Sequence, residues 1–354
     1  MIKFQLKTIL FVLLVAITVN VYASVSAEGW QLQNAGTIWN SGYPVIIRDG
    51  YLFIFYEGGY SVTSVDKNGT LGTTQMIYNG YLINGHSGGS VATTDRLAIT
   101  TGGYGGVERP LQAEVRIINF KIDGSIDTVR ISNYSVQIAR VYHASLVINN
   151  RLYLLGGNYK DSGFNERPTS SVEYGTINSD SSIGPFVLTS SFSNISGGVY
   201  LTWNSGDTVY CYGANTIGGY IERAIVNIDG SLSKWTTLQG PIAFCGPTVL
   251  TNQNTLFTVQ PHRGGDYNNC FKSQINGDMK NLNWGFPAHT IKPRAGASLV
   301  SWDRFVYLIG GTNGVTFDPE NTAEMYDPNL TATELYDDPM MNMGVTRQIT
   351  LDNF

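Results

Sequence analysis

The residues of this 354-residue chain with the most chemistry to offer fall in a few short strings. Three are Glu-Arg pairs: "VERP" (107–110), "NERP" (165–168) and "IERA" (221–224). An arginine fork holds carboxylates or sugar hydroxyls, so Arg109, Arg167 and Arg223 are candidate ligand-binding residues. Aromatic residues recur close by: Tyr60, Tyr104, Tyr159, Tyr220, Tyr267 and Phe317. Their faces stack on the C–H faces of sugars or on cationic groups. Two of the four histidines sit in suggestive settings. "RVYHAS" places Tyr142 and His143 just after Arg140, and "PHRGG" (261–265) places His262 beside Arg263. Arg294 adds a further guanidinium. Each motif also has a plainer reading. Glu108, Glu166 and Glu222 recur because a structural unit recurs, with each arginine bridging to the next unit. His143 then packs against a neighbouring unit through a hydrogen bond.

No His/Cys/Asp/Glu cluster has metal-ligand spacing, and no G-x-S-x-G nucleophile motif occurs, so no metal or cofactor is implied. Cys211, Cys245 and Cys270 are too few for a disulfide scaffold, and their odd number leaves at least one thiol free. Cys211, in "TVYCYG", reads as a small buried hydrophobe. The formal net charge of −5 is too mild for a nucleic-acid footprint.

The elements that must carry these residues are repeats. An Asp-Gly or related turn, "KIDGSIDTV" (121–129) or "NIDGSLSKW" (227–235), comes back along the chain. Its acids are Asp123, Asp180, Asp229, Asp278 and Asp327, with Asn68-Gly69 as an earlier copy, and the last four acids are evenly spaced. Such turns tolerate positive φ and link antiparallel strands. Upstream of each lies an apolar strand that runs into glycine, as in "RLYLLGG" (151–157) and "FVYLIGG" (305–311), preceded by a shorter strand such as "ASLVINN" (144–150). Strand A, turn, strand B, variable loop, strand C, Asp-Gly turn and strand D make a four-stranded antiparallel meander of about fifty residues, the unit of a propeller blade. With 40 Gly and only 14% charged residues, the composition suits short strands and tight turns. The expected fold is all-β: a six-bladed β-propeller of four-stranded antiparallel blades, or seven blades with one incomplete.

The repeat resembles the kelch-type β-propeller, through the diglycines at 58–59, 102–103, 156–157 and 310–311 and the aromatics Phe186, Trp235 and Trp284 before or in the outer strands. The segment 139–157 is the closest match. The resemblance implies a rigid ring with loops collected on one face; such rings host enzymes, adhesins and scaffolds alike. A copper oxidase of this kind needs two His and two Tyr ligands, and Tyr142-His143 supplies one of each with no equivalent second pair.

The chain divides into residues 1–23 as a signal peptide, with cleavage as late as 27, and residues 28–352 as one propeller closed by terminal strands, with "EGWQLQNAG" (28–36) and "GVTRQITLD" (344–352) as the end strands. Lys3 and Lys7 before the apolar run 8–19 and small residues at 21/23 or 25/27 give the leader its pattern. Its removal leaves 20 basic against 27 acidic residues, a net −7. The expectation is a secreted protein, extracellular or periplasmic, with no stable membrane insertion and no nucleic-acid partner. Its expected role is non-catalytic recognition of a glycan or protein through the loops after strand B, using Tyr104, Arg109, Tyr142, His143, Tyr159, Arg167, Tyr220, Arg223, His262, Arg263, Tyr267 and Arg294. The alternative is a carbohydrate-active enzyme, oxidase- or epimerase-like, at the channel mouth, with His143 or His262 acting beside Arg140, Arg263 or Arg294.

Overall fold

The computed structural model describes residues 30–33, 42–78, 87–105, 110–242, 246–259, 269–275, 282, 284–292, 294–313 and 321–327. Outside these fall the expected leader and the expected end strand 344–352, together with His86, Glu108, Arg109, Cys245, His262, Arg263, Tyr267, Asp278 and Phe317. Among the described residues there is no helix, and six four-stranded antiparallel sheets form a ring of blades. Blade 1 begins at Val45–Arg48, blade 2 at Ser90–Thr93, blade 3 at Ala144–Ile148, blade 4 at Val199–Ser205, blade 5 at Thr248–Leu250 and blade 6 at Ser298–Trp302. These six strands are innermost and pack against one another around the axis. Ser90 and Ser145 hydroxyls meet at 2.7 Å, and Ser298 donates to the Tyr43 carbonyl to close the circle. The chain is thus a six-bladed β-propeller. Blade 6 takes its outer strand from the beginning of the chain: Trp30–Gln33 pairs antiparallel with Ala323–Tyr326.

The core lies between blades. Trp235, just before the outer strand of blade 4, packs against Phe192 with ring centroids 4.4 Å apart and planes tilted by 51°, and donates its indole N–H to the Ser190 carbonyl. Trp30 packs against Phe257 of blade 5. Each blade is therefore completed by its neighbour, which is why no single unit could fold alone.

The recurring turn acid now has a physical explanation. Asp123, Asp180 and Asp229 each accept a backbone N–H two residues on and hold an Asx turn in shape. Gly230 of the blade 4 turn offers its carbonyl to the hydroxyl of Tyr153, on the second strand of blade 3. Gly69 of blade 1 does the same for Tyr307 of blade 6. Both glycines have positive φ, and a Cβ on Gly69 would strike Phe305 and Met325. The turn is a docking piece that fits the preceding blade. Asp327, the last of the evenly spaced acids, is a different kind of residue. It ends strand Ala323–Tyr326, is buried, and pairs with Arg304 at 3.2 Å.

Candidate functional site

Whether a blade carries a loop at its loop-rich face depends on where its second and third strands part. In blades 1 and 4 they stay paired to the end: Tyr56 pairs with Gly59, and Ala214 with Gly219. Tyr60 and Tyr220, expected on loops, therefore lie within strands Gly59–Ser64 and Gly219–Ile225. Tyr220 is buried in the core beside Trp235. Arg223 is exposed further along the same strand, across from Tyr210 and Thr236.

In blades 3 and 6 the strands separate after Leu155 and Ile309, and the freed carbonyls need partners. A buried arginine supplies them. Arg140 Nη1 donates to the carbonyls of Gly156 and Ser171 while Nη2 meets Glu173 at 2.6 Å. Arg294 repeats this with Gly310, Thr322 and Glu324. Both ion pairs have no exposed side-chain surface. Burial pulls the Arg140 pKa down against the counter-pull of Glu173, and pushes that of Glu324 up against Arg294. Glu173 and Glu324 also accept two successive backbone N–H groups of the segment entering their blade. Glu222 does likewise in blade 4, with no arginine. Glu173, Glu222 and Glu324 are thus the true counterparts. The Glu-Arg strings of blades 3 and 4 are not: Glu222 is a buried strand residue, whereas Glu166 and Arg167 sit on an exposed hairpin, Asn158–Lys160 with Glu166–Pro168. Arg294 is occupied within the frame.

His143 is 4% exposed and wedged between two diglycines. A Cβ on Gly102 would lie 2.5 Å from its Cε1, and one on Gly157 2.8 Å from its Cβ. Its Nε2 meets the Thr101 hydroxyl of blade 2 at 2.9 Å. Burial first, and then the charge of Arg140, hold its pKa well below the ordinary value, so the ring is neutral. This is the packing arrangement of the plainer reading, between blades.

The expected residues that do converge are Tyr104 and Tyr142. A belt of backbone hydrogen bonds runs round the loop-face mouth of the channel, from Gly88 N to Gly42 O, Tyr142 N to Gly88 O, and Val199 N to Tyr142 O. In blades 1, 2 and 6 the counterpart of Tyr142 is a glycine with positive φ, Gly42 (69°), Gly88 (71°) and Gly296 (65°), and in blade 4 it is the buried Val199. Tyr142 adopts the left-handed backbone of these glycines, at 57°, and is 49% exposed. Strings such as "HSGGS" and "RAGAS" beside "RVYHAS" carried this signal in the sequence. The Tyr142 ring meets Tyr104 edge to face, at 5.9 Å and 75°. Tyr104 donates its hydroxyl to Glu166 Oε1. Burial and these partners push the Tyr104 pKa far up, so the phenol stays protonated.

The hairpin that carries Glu166 is braced by Asp161, which accepts the N–H groups of Gly163 and Asn165 and binds Arg167 at 2.9 Å. At its tip Phe164 is 83% exposed with φ 60°. Tyr159, Phe164, Leu111, Pro110, Ile138 and Gln137 are among the residues lining a groove of about 610 Å³ between blades 2 and 3. A slightly larger cavity, about 640 Å³, lies beside Arg48, Asp95 and Trp302 at the opposite ends of the inner strands. There Arg48 is already engaged by Asp49, the Asp95 carbonyl and the Phe120 ring, so the loop face offers the more open chemistry.

No protein-family description matches the sequence. No curated protein matches it either. Among solved structures, that of YjhT aligns with a TM-score of 0.60 at 12% identity, over 82% of this chain and 95% of that one. At this identity the likeness establishes the propeller fold alone.

Proposed function

We propose that this protein is an exported binding propeller that recognises a carbohydrate on its loop face, between blades 2 and 3. One observation carries the reading: Tyr142 stands where blades 1, 2 and 6 have a left-handed glycine and blade 4 a buried valine, and it is a half-exposed aromatic in a backbone conformation that disfavours a bulky side chain. Strain kept at a half-exposed aromatic is of no use to the ring, since glycine closes the same belt elsewhere. Phe164 is a second exposed aromatic in the same left-handed region. The remaining described non-glycine residues with positive φ are Asp, Asn and Ser, the types that turns tolerate.

The groove has the volume of a small-ligand site and combines aromatic faces with a few fixed polar groups. Aromatic rings stack on the apolar faces of pyranoses, while hydroxyls need donors and acceptors that are held still. The braced hairpin supplies such groups. A glycan array probed with the purified protein tests the reading. Wild type is expected to bind a defined set of glycans, and Tyr142→Ala and Tyr159→Ala to lose about tenfold or more in affinity with the fold retained. Absence of any glycan signal, or variants that bind as wild type does, would overturn it.

A further inference from the structure

We infer that the channel-side corner formed by Tyr104, Tyr142 and Glu166 selects a cationic group, so that the preferred glycan carries free amino groups in place of N-acetyl groups. The inference rests on the carbohydrate reading and adds the charge of the ligand. It begins with Glu166, an exposed carboxylate fixed by the Tyr104 hydroxyl through Oε1 alone. Its Oε2 has no hydrogen bond or ion pair among the described residues. Lys160 stands directly across the hairpin from Glu166; the other described cations nearby are matched elsewhere. Arg167 is held by Asp161, Arg140 by Glu173, and Arg116 by Glu114.

The two tyrosine rings, 75° apart in plane with centroids separated by 5.9 Å, form two walls of a corner. An ammonium held against an aromatic face within about 6 Å of its centroid is attracted by the ring quadrupole. A carboxylate completing the corner adds a charge-assisted hydrogen bond. The phenol of Tyr104 stays protonated, so it donates to Glu166 and keeps that carboxylate in place as the acceptor. A neutral N-acetyl group gains neither attraction. Tyr142 is the one half-exposed residue of the three that replaces a glycine, which places the unusual side chain at the wall a ligand would meet first.

Calorimetric titration with a glucosamine tetrasaccharide and its N-acetylated counterpart tests this, at about pH 6, where a free amine is protonated. The free-amine oligomer is expected to bind about tenfold more tightly, with the preference shrinking as salt rises. Glu166→Gln should remove the preference. Tyr142→Phe should keep it, because the ring face is what acts, and Tyr142→Ala should weaken it. Equal affinity for the two oligomers, with sensitivity to Tyr142→Ala, would leave the carbohydrate reading standing and overturn the charge selectivity. A preference that survives Glu166→Gln would also overturn it, as attraction to the acidic surface at large. Binding of neither oligomer overturns it too, and the array then decides the broader reading separately.

Discussion

Blades 3 and 6 are built on the same frame and differ at one tip. Each has a buried arginine–glutamate pair, Arg140–Glu173 and Arg294–Glu324. Each has a second-strand tyrosine, Tyr153 and Tyr307, that docks the turn of the following blade. Each has a left-handed diglycine, at 156–157 and 310–311, where its strands part. Yet at the channel mouth blade 6 has Gly296 and Ala297, and blade 3 has Tyr142 and His143. The frame answers demands of backbone chemistry that both blades share, namely parted strands and loose carbonyls. The tip answers nothing the frame requires. In a repeat protein, the shared features describe stability and the unshared ones point to function.

The largest expected effect tests the shared half of this comparison. Arg140→Met and Arg294→Met each strand a buried carboxylate and two carbonyls, and each should cost about 3–5 kcal/mol of unfolding free energy in denaturant titration. Adding Glu173→Leu to Arg140→Met should recover part of that loss, because an apolar pair carries no unmatched charge. If one arginine proves dispensable and the other essential, the two frames are not equivalent.

A smaller effect separates the blades by pH. His143 is buried and neutral, with its folded pKa below the unfolded value of about 6.5. The unfolded chain therefore binds the extra proton first. His143 contributes its full stability above about pH 6.5 and loses it progressively as pH falls from there toward the folded pKa. The melting temperature should drop over this range in wild type and drop less in His143→Gln. An equal drop in both would move the acid sensitivity to another group.

The smallest effect on stability bears on function. Tyr142→Gly restores the residue that blades 1, 2 and 6 use and removes left-handed strain, at the cost of a more flexible unfolded chain. The net change in unfolding free energy should stay within about 1 kcal/mol, while glycan binding disappears. The reverse exchange, Gly296→Tyr, finds open space at Cβ but a φ of 65°, and should cost about 1–2 kcal/mol with no gain of binding. A strongly destabilised Tyr142→Gly would make the tyrosine part of the frame after all.

The blades and their turns were legible in the sequence because strand periodicity and Asx-Gly turns act locally. Asp123, Asp180 and Asp229 behave in the fold as their strings suggest. The Glu-Arg strings misled because resemblance of three letters does not fix register. In blade 3 the strands part and push "NERP" out onto a hairpin; in blade 4 they stay paired and draw "IERA" into the sheet. A better alignment was available, since Glu173 and Glu222 stand equally far before Asp180 and Asp229. The Tyr104–Glu166 contact was not legible at all. It joins loops of two blades that are brought together by the curvature of the ring, which no single unit encodes.

Because Trp30–Gln33 becomes the outer strand of blade 6, among the first described pieces to leave the ribosome is among the last to find a place. Until residues 323–326 have been made, the fully buried Trp30 has no partner strand and must wait in the open. The same latch makes a cut between Gln33 and Gly42 a mild one: moving Trp30–Gln33 to the end of a chain that starts at Gly42 would turn the clasp into an ordinary hairpin neighbour, and the wheel would close without waiting.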